Sequence, residues 1–435
     1  MNLEDQMNLE DQINLGDEIN SCIKNEMEQH KARMRILHTA DLHIGKMVNN
    51  FNILEDQKYV LTQMVEIVKN QNIQAFIIAG DVYDRPVPSA EAVAVFHWFI
   101  QQLHETGVTI FCISGNHDSA ERLSFAKEIL GEHGVHFAGT YEGKCKQVVL
   151  QDEYGPVVFT LMPFVKAALL QENTSQAAVR HMLEDICPNL EITVENDNVT
   201  RASDDKGVKE NNSRESVRQV LVTHFFVTNA GKEPELSDSE NHVAVGGLDN
   251  VDASLFKAFH YTALGHIHKP QRMDRENDSL NPVVYAGSPL AYSFSECTQE
   301  KSVVLVELDQ NTVSHLERIP LKPLHKMRKL RGKLEDLISQ TLEEHLDKED
   351  YLQITLTNEE ELIDPIGTLR TVYPNVMQLI FEKKEKESAG EFTTVDTVVK
   401  KTAEELFEDF YGLIREKGMD EARKNVIQDI IKELV

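Results

Sequence analysis

Five polar strings, each closing a short apolar run, constrain this chain more than any other feature. Asp41-Leu42-His43, Gly80-Asp81-Val82-Tyr83-Asp84, Gly115-Asn116-His117-Asp118, His224 and Gly265-His266-Ile267-His268 occur in that order. The runs ahead of them (35–40, 75–79, 108–113, 219–223 and 261–264) have the composition of short buried strands. Every string falls just after a strand, and together the strings supply carboxylates, imidazoles and an amide. Any one string arises by chance in unrelated proteins. The ordered set, each member following a strand, reads as the ligands of a two-metal hydrolytic site.

The chemistry explains the residue types. A phosphodiester anion repels an attacking hydroxide. Two cations about 3.5–4 Å apart bind the phosphate oxygens, lower the pKa of a water and steady the developing charge. Asp81 is the expected bridge, because a carboxylate has two oxygens whereas an imidazole binds one ion at a time. The first metal is expected to take Asp41, His43, Asp81 and His268; the second, Asp81, Asn116, His224 and His266. Extended backbone through His266-Ile267-His268 would send both rings to one face, where they address neighbouring ions. Mixed oxygen and nitrogen ligation without thiolate suits manganese or iron, and a pair of manganese ions is the expectation. His117, beside Asn116 but outside both shells, is the candidate acid for the leaving oxygen. Asp84 is the candidate to hold its far nitrogen, and Arg85 a candidate phosphate contact, although Asp84-Arg85-Pro86 also reads as an ordinary turn. Asp118 is the alternative orienter, better suited to a turn or cap.

Composition sets outer limits. At 435 residues, 41% hydrophobic and 27% charged, the chain is expected to form more than one soluble domain. Five scattered cysteines without a CxxC pair exclude a disulfide framework and a cysteine zinc site, and point to the reducing cytoplasm. No apolar stretch approaches membrane-span length, and residues 1–33 are too acidic for a secretory signal. A net charge of −28 argues against unaided tight binding of a polyanion. The dense basic run over 322–333, KPLHKMRKLRGK, reads as a solvated face or as a local nucleic-acid patch. No P-loop is present, so any ATP hydrolysis must come from another chain.

Residues 1–20 repeat MNLEDQ, MNLEDQ, INLGDE, and 1–33 is expected to be a disordered leader, or to lie upstream of a natural start at Met34. Beyond it, helices over 54–69 and 89–104, the latter with Ser89 as N-cap, alternate with strands. Further strands over 157–161, 283–286 and 302–308 complete an α/β fold, a two-sheet β-sandwich flanked by helices. A polar insertion is expected over 189–218. A small α/β domain over 319–384 reads βαβ-like, with a helix over 333–344 and strands over 351–357 and 376–382. A linker over 385–398 leads to C-terminal helices over 399–435. Their apolar stripes, Leu406, Phe407 and Phe410, then Val426, Ile427, Ile430 and Ile431, fit a docked partner helix.

The fuller strings HTADLHIG, GDVYDR, SGNHDS, LGHIHKPQ and VYAGSPLAYSF resemble those of the calcineurin-like metallophosphoesterase superfamily and, within it, the SbcD nuclease branch. One departure is that His224 follows Thr223 where the family pattern has glycine. The resemblance implies a nuclease domain over 34–318, a capping domain over 319–384 that guides DNA to the metals, and C-terminal helices that grip the coiled coil of an SbcC-like ATPase. It also implies 3′ to 5′ exonuclease action on duplex ends, endonuclease action on single strands and hairpins, and a homodimer, joined through helices of the N-terminal half, within a heterotetramer serving DNA repair. Two alternatives stay open. A stand-alone phosphodiesterase or phosphatase leaves 319–435 without a task; a non-catalytic scaffold leaves the intact ligand set and His117 without one.

Overall fold

The computed structural model describes residues 33–184, 186, 217–240, 249–274, 281–343, 347–360, 362–382 and 423–424. The expected leader up to residue 32, most of the expected polar insertion, the expected linker and the expected C-terminal helices lie outside the described residues, apart from 423–424. The chain divides into two compact units, Met1–Glu382 and Lys383–Val435.

The first half alternates strand and helix: β1 (Arg35–Thr39), α1 (Leu54–Asn70), β2 (Ala75–Ala79), α2 (Ala90–His104), β3 (Thr109–Ile113) and β4 (Val135–Ala138). These four strands are parallel neighbours, and AFIIA and TIFCI are apolar because both faces of such a sheet are covered. On α1, Val60, Leu61, Met64, Val65 and Val68 are buried at helical spacing. Ser89 caps α2, its Oγ accepting from the Ala92 amide, an interaction worth about 1 kcal/mol.

The second sheet is formed by β5 (Lys146–Asp152), β6 (Gly155–Leu161), β7 (Arg218–His224), β8 (Tyr261–Gly265), β9 (Gln271–Arg272) and β10 (Val283–Tyr285). The chain then returns to the first sheet through β11 (Ser302–Leu308) and β12 (Val313–Pro320). Strand orders are β12-β11-β1-β2-β3-β4 and β9-β10-β8-β7-β6-β5. Ile36, Ile77 and Phe111 meet Phe159, Val220, Val222 and Ala263 between the sheets, with Phe111 stacked on Phe159 at 4.4 Å. The fold is the expected sandwich with flanking helices. Two details differ. β12 was not anticipated; it pairs along β11 and carries the first sheet to Pro320, past the expected boundary at 318. Arg218, expected in the polar insertion, opens β7 buried, its guanidinium on Asp152.

A smaller α/β layer follows: β13 (Met327–Gly332), α3 (Leu334–Glu343), β14 (Tyr351–Leu356), α4 (Pro365–Arg370) and β15 (Val376–Phe381). Its three strands are parallel and enclose Leu337, Leu352, Ile354, Leu369 and Val376. The basic run 322–333 contributes β13 to this sheet. Arg328 pairs with Asp350 and Arg331 with Glu382, so two of its six lysines and arginines face a carboxylate. Val48, Ile53, Tyr292 and Phe294 pack against Met327, Tyr351 and Met377 where this layer meets the sandwich. Asp56 of α1 sits at the same junction, accepting from the His325 amide at 3.0 Å and the Tyr351 hydroxyl at 2.7 Å.

Register delivers the motifs together. Thr39 lies beside Ile78, Ala79 beside Ile113 and Gly265 beside His224, so the carboxyl ends of β1, β2, β3, β7 and β8 open at one edge.

Candidate metal centre

The loops leaving β1 and β2 stay joined beyond the sheet. The amides of Asp41, His43 and Ile44 donate to the carbonyls of Gly80, Asp81 and Val82 at 3.1, 3.0 and 2.9 Å. Asp41, His43 and Asp81 have left-handed backbone, at φ 53°, 42° and 49°, and His266 lies at φ 102°. Non-glycine residues adopt such conformations at a cost and keep them where the surroundings impose them. Asp118 joins the third loop, its carboxylate accepting from the amides of Val82, Tyr83 and Gly115. Burial, then the charge of Asp81, pushes its pKa up to about 6. Two glycines permit the close approach. A Cβ on Gly80 would overlap the His224 ring, and one on Gly115 the Asp81 carboxylate.

The side chains converge in two groups sharing Asp81. His43 Nε2 lies 3.1 Å from His268 Nε2 and 3.7 Å from Asp81 Oδ2. His224 Nε2 lies 3.3 Å from that same oxygen and 3.1 Å from Asn116 Oδ1, which is 2.9 Å from His266 Nδ1. Asp41, His43 and His268 offer ligand atoms all within 4.8 Å of one another, as do Asp41, Asp81 and His224, and a third such group, His43, Asp81 and His117, brings in His117. Asp41, His43, Asp81, His224 and His268 are buried, whereas Asn116 is exposed and His117 and His266 are half-buried. The site has a closed floor and one open side.

The donor atoms fit metal ions on their own chemistry. His224 Nδ1 faces the Ala79 carbonyl at 2.8 Å; a carbonyl only accepts, so Nδ1 carries the hydrogen and Nε2, which faces Asp81 and Asn116, offers a lone pair there once it gives up any second proton. Acceptor atoms therefore crowd one buried volume, which is unfavourable without a shared positive charge. Burial pushes the Asp41 carboxyl up to about 6. Burial also opposes ionisation of Asp81, yet the His224 and His43 rings hold it well below the usual carboxylate range. Burial opposes protonation of His224 too, and the facing Asp81 overrides it, raising that ring to about 9. A cation binding here displaces the proton that this pair otherwise shares.

Two expectations are corrected in detail. β8 ends at Gly265, so the HIH rings separate through a turn and not through strand parity: His266 Nδ1 turns to Asn116 and His268 Nε2 to His43. The His266 amide is tied to the Asp41 carboxylate at 2.9 Å. Asp84 does reach His117, but through its backbone carbonyl, 3.0 Å from Nδ1. Its carboxylate instead accepts from Lys46 at 2.7 Å. Arg85 is largely exposed, with Nε 3.7 Å from Asp84 Oδ2. Asp118 takes the turn role, its carboxylate holding three loop amides, and Ser119 caps the short helix that follows.

Sequence reasoning passed over residues that brace these loops. Gln57 donates to the His43 carbonyl at 2.7 Å and accepts from the Gly45 amide, and Tyr292 donates to the Leu42 carbonyl while its ring packs against His43 and His268. Gln57 sits amid a helix and carries no motif. Lys46, three residues beyond His43, and Tyr292, inside VYAGSPLAYSF, were within view.

The calcineurin-like phosphoesterase family matches residues 34–270. The SbcD C-terminal family, described as the type 5 capsule protein repressor C-terminal domain, matches residues 323–413. The SbcD subunit of nuclease SbcCD from Staphylococcus epidermidis is 29% identical over 409 residues, covering 92% of this chain and 98% of that protein. Among solved structures, a Thermus thermophilus protein aligns at TM-score 0.38 and 10% identity, over 67% of this chain and 100% of that one. A dimetal phosphatase from Danio rerio aligns at TM-score 0.37 and 11% identity, over 67% and 99%. The fold, the five strand-end motifs and the length of the family match place this chain in the calcineurin-like phosphoesterase family.

Proposed function

We propose that this chain is the nuclease subunit of an SbcCD-type complex, hydrolysing DNA phosphodiesters with two divalent ions, manganese being favoured. The observation that carries the chemistry is the sharing of Asp81 Oδ2 between His43 and His224 at 3.7 and 3.3 Å. That places one carboxylate between two sets of nitrogen donors. Asp41, His43, Asp81 and His268 would hold one ion, and Asp81, Asn116, His224 and His266 the other. When bound, the ions neutralise the phosphate, activate water and stabilise the transition-state charge.

The chain's own groups supply the rest. The Asp84 carbonyl keeps the hydrogen on His117 Nδ1, so Nε2 is the nitrogen free to carry a second proton to the leaving oxygen. His117 stands half-buried beside exposed Asn116, on the open side where a diester arrives. Arg85, largely exposed, is the candidate contact for a flanking phosphate.

Assignment of the substrate as DNA rests on the relatives. The likeness to the SbcD subunit of an SbcCD nuclease spans nearly all of both chains, and the SbcD C-terminal family covers the layer after the sandwich. On this reading 319–384 caps the site and steers DNA. Residues 399–435 bind the coiled coil of an SbcC-like ATPase, which supplies ATP gating and the positive surface that a chain of net charge −28 lacks. Exonuclease action 3′ to 5′ on duplex ends, endonuclease action on hairpins and single strands, a cytoplasmic setting and a role in repair belong to the same proposal. So does a homodimer. An apolar groove lined by Val93, Phe96, Ile100, Phe125 and Leu130 lies beside the third motif, with Phe125 81% exposed, and offers it a surface.

The test is cleavage of a hairpin and a duplex end by the manganese-loaded protein with an SbcC-like ATPase, with His117→Ala as control. Cleavage by wild type, lost in the variant, is expected. Turnover of bis-p-nitrophenyl phosphate with DNA left intact, ATPase present, would instead indicate a small-substrate diesterase.

A further inference from the structure

His268 is gripped more completely than the other rings. Its amide donates to Glu240 Oε1, its carbonyl accepts from Lys301 Nζ at 3.0 Å, and its Nδ1 lies 2.7 Å from Ser239 Oγ. Ser239 Oγ is in turn 2.6 Å from Glu296 Oε1, and Glu296 Oε2 is 2.6 Å from Lys301 Nζ. The contacts form a closed ring that leaves His268 through its imidazole and returns to its own carbonyl. Glu296 is wholly buried and Lys301 is 6% exposed. A buried ion pair is weak support for stability, because desolvating two charges offsets much of their attraction. This pair has a different use within reach.

Proton direction follows from the partners. Glu296, facing the lysine ammonium, only accepts, so the Ser239 hydroxyl donates to it. The hydroxyl oxygen then accepts from His268, which fixes the hydrogen on Nδ1 and leaves the Nε2 lone pair directed at His43 and the metal position. His43 has no comparable support: among the described residues its Nδ1 has no hydrogen-bond partner, and Asp84 Oδ1 lies 3.7 Å from it.

We propose that Ser239, Glu296 and Lys301 form a buried positioning relay that sets the tautomer and orientation of His268, and through it the affinity of one of the two cation positions. The inference rests on the dimetal reading above. None of the three reaches substrate, so they act on the ion's retention and not on the chemistry directly.

Ser239→Ala is the variant of choice, since Glu296 keeps Lys301 and the Ser293 hydroxyl and is not left unpaired. Manganese binding is followed by equilibrium dialysis and electron paramagnetic resonance on the full chain. Wild type is expected to bind two ions. In Ser239→Ala one ion should bind about 10- to 100-fold more weakly and the other unchanged, with Ser239→Thr restoring the first. Two unaltered affinities in Ser239→Ala would overturn the relay. So would an equal fall in both affinities with lowered thermal stability and no rescue by threonine. Wild type binding fewer than two ions would overturn the dimetal reading itself, and the relay with it, before any substitution is made.

Discussion

The metal-bearing edge of the sandwich and the smaller layer after it are built from the same alternation of strand and helix, yet they bury opposite things. The layer encloses aliphatic and aromatic side chains such as Leu352, Ile354, Leu369 and Tyr373. The edge buries Asp41, His43, Asp81, His224 and His268, three of those five on left-handed backbone. Aliphatic burial favours folding by itself at roughly 25 cal/mol per Å². Buried carboxylates and strained loops oppose folding until something neutralises them. The layer is thus shaped by its own stability, and the edge by the ligand it must hold.

The largest effect should come from the open side of that edge. His117→Ala is expected to lower turnover by about 10²- to 10⁴-fold while two ions remain bound, read by single-turnover kinetics beside metal analysis. Loss of an ion along with turnover would make His117 a ligand. A paired substitution sharpens the contrast between regions. Gly80→Ala forces a side chain into φ +86° and against His224, and should cost more than the roughly 1–2 kcal/mol of the left-handed backbone alone. Gly332→Ala in the layer meets only Leu337 at 3.4 Å and should stay within about 0.5 kcal/mol of wild type. Equal unfolding midpoints for the two variants would remove the distinction.

A third test uses acid. His38, in the sandwich with Nδ1 2.8 Å from the Tyr261 hydroxyl, is held neutral by burial, its pKa lowered to about 3. The unfolded chain takes up this proton near its ordinary pKa of about 6.5 and the folded chain does not. The contribution to stability is therefore complete above that value and is lost as pH falls from there toward 3. Denaturant unfolding of wild type should weaken between pH 7.5 and 5, and that of His38→Gln should weaken less. Parallel profiles would show that His38 does not contribute. The smallest effect on chemistry belongs to Asp56→Ala, which removes acceptors for His325 and Tyr351. It should loosen β13 and β14 by about 1–3 kcal/mol in hydrogen exchange while leaving small-diester turnover unchanged. A fall in that turnover would tie the layer to the metal edge.

Much of this arrangement was legible because its causes are local. An apolar run followed by DxH or GNHD states both strand and ligand in a few residues, and α1 and α2 announce themselves by spacing. What stayed hidden depends on partners distant in sequence. β12 reads VSHLERIP, an edge strand whose Leu316 and Ile319 pack on different cores among polar residues, so strict alternation gave no signal. β13 lies in a run whose lysines and arginines conceal Met327 and Leu330 as inward positions. Asp84 was chosen for its carboxylate, and side-chain chemistry cannot foretell that its carbonyl makes the contact. Ser239, Glu296 and Lys301 carry no motif; only the return of β11 to the first sheet brings the lysine beneath His268.

The central claim is that these scattered side chains hold two ions in one centre bridged by Asp81. Anomalous scattering from manganese-soaked crystals tests it most directly. The account predicts two peaks, one among Asp41, His43 and His268 and one among Asn116, His224 and His266, both next to Asp81. A single peak, or none, with those side chains ordered, would contradict it.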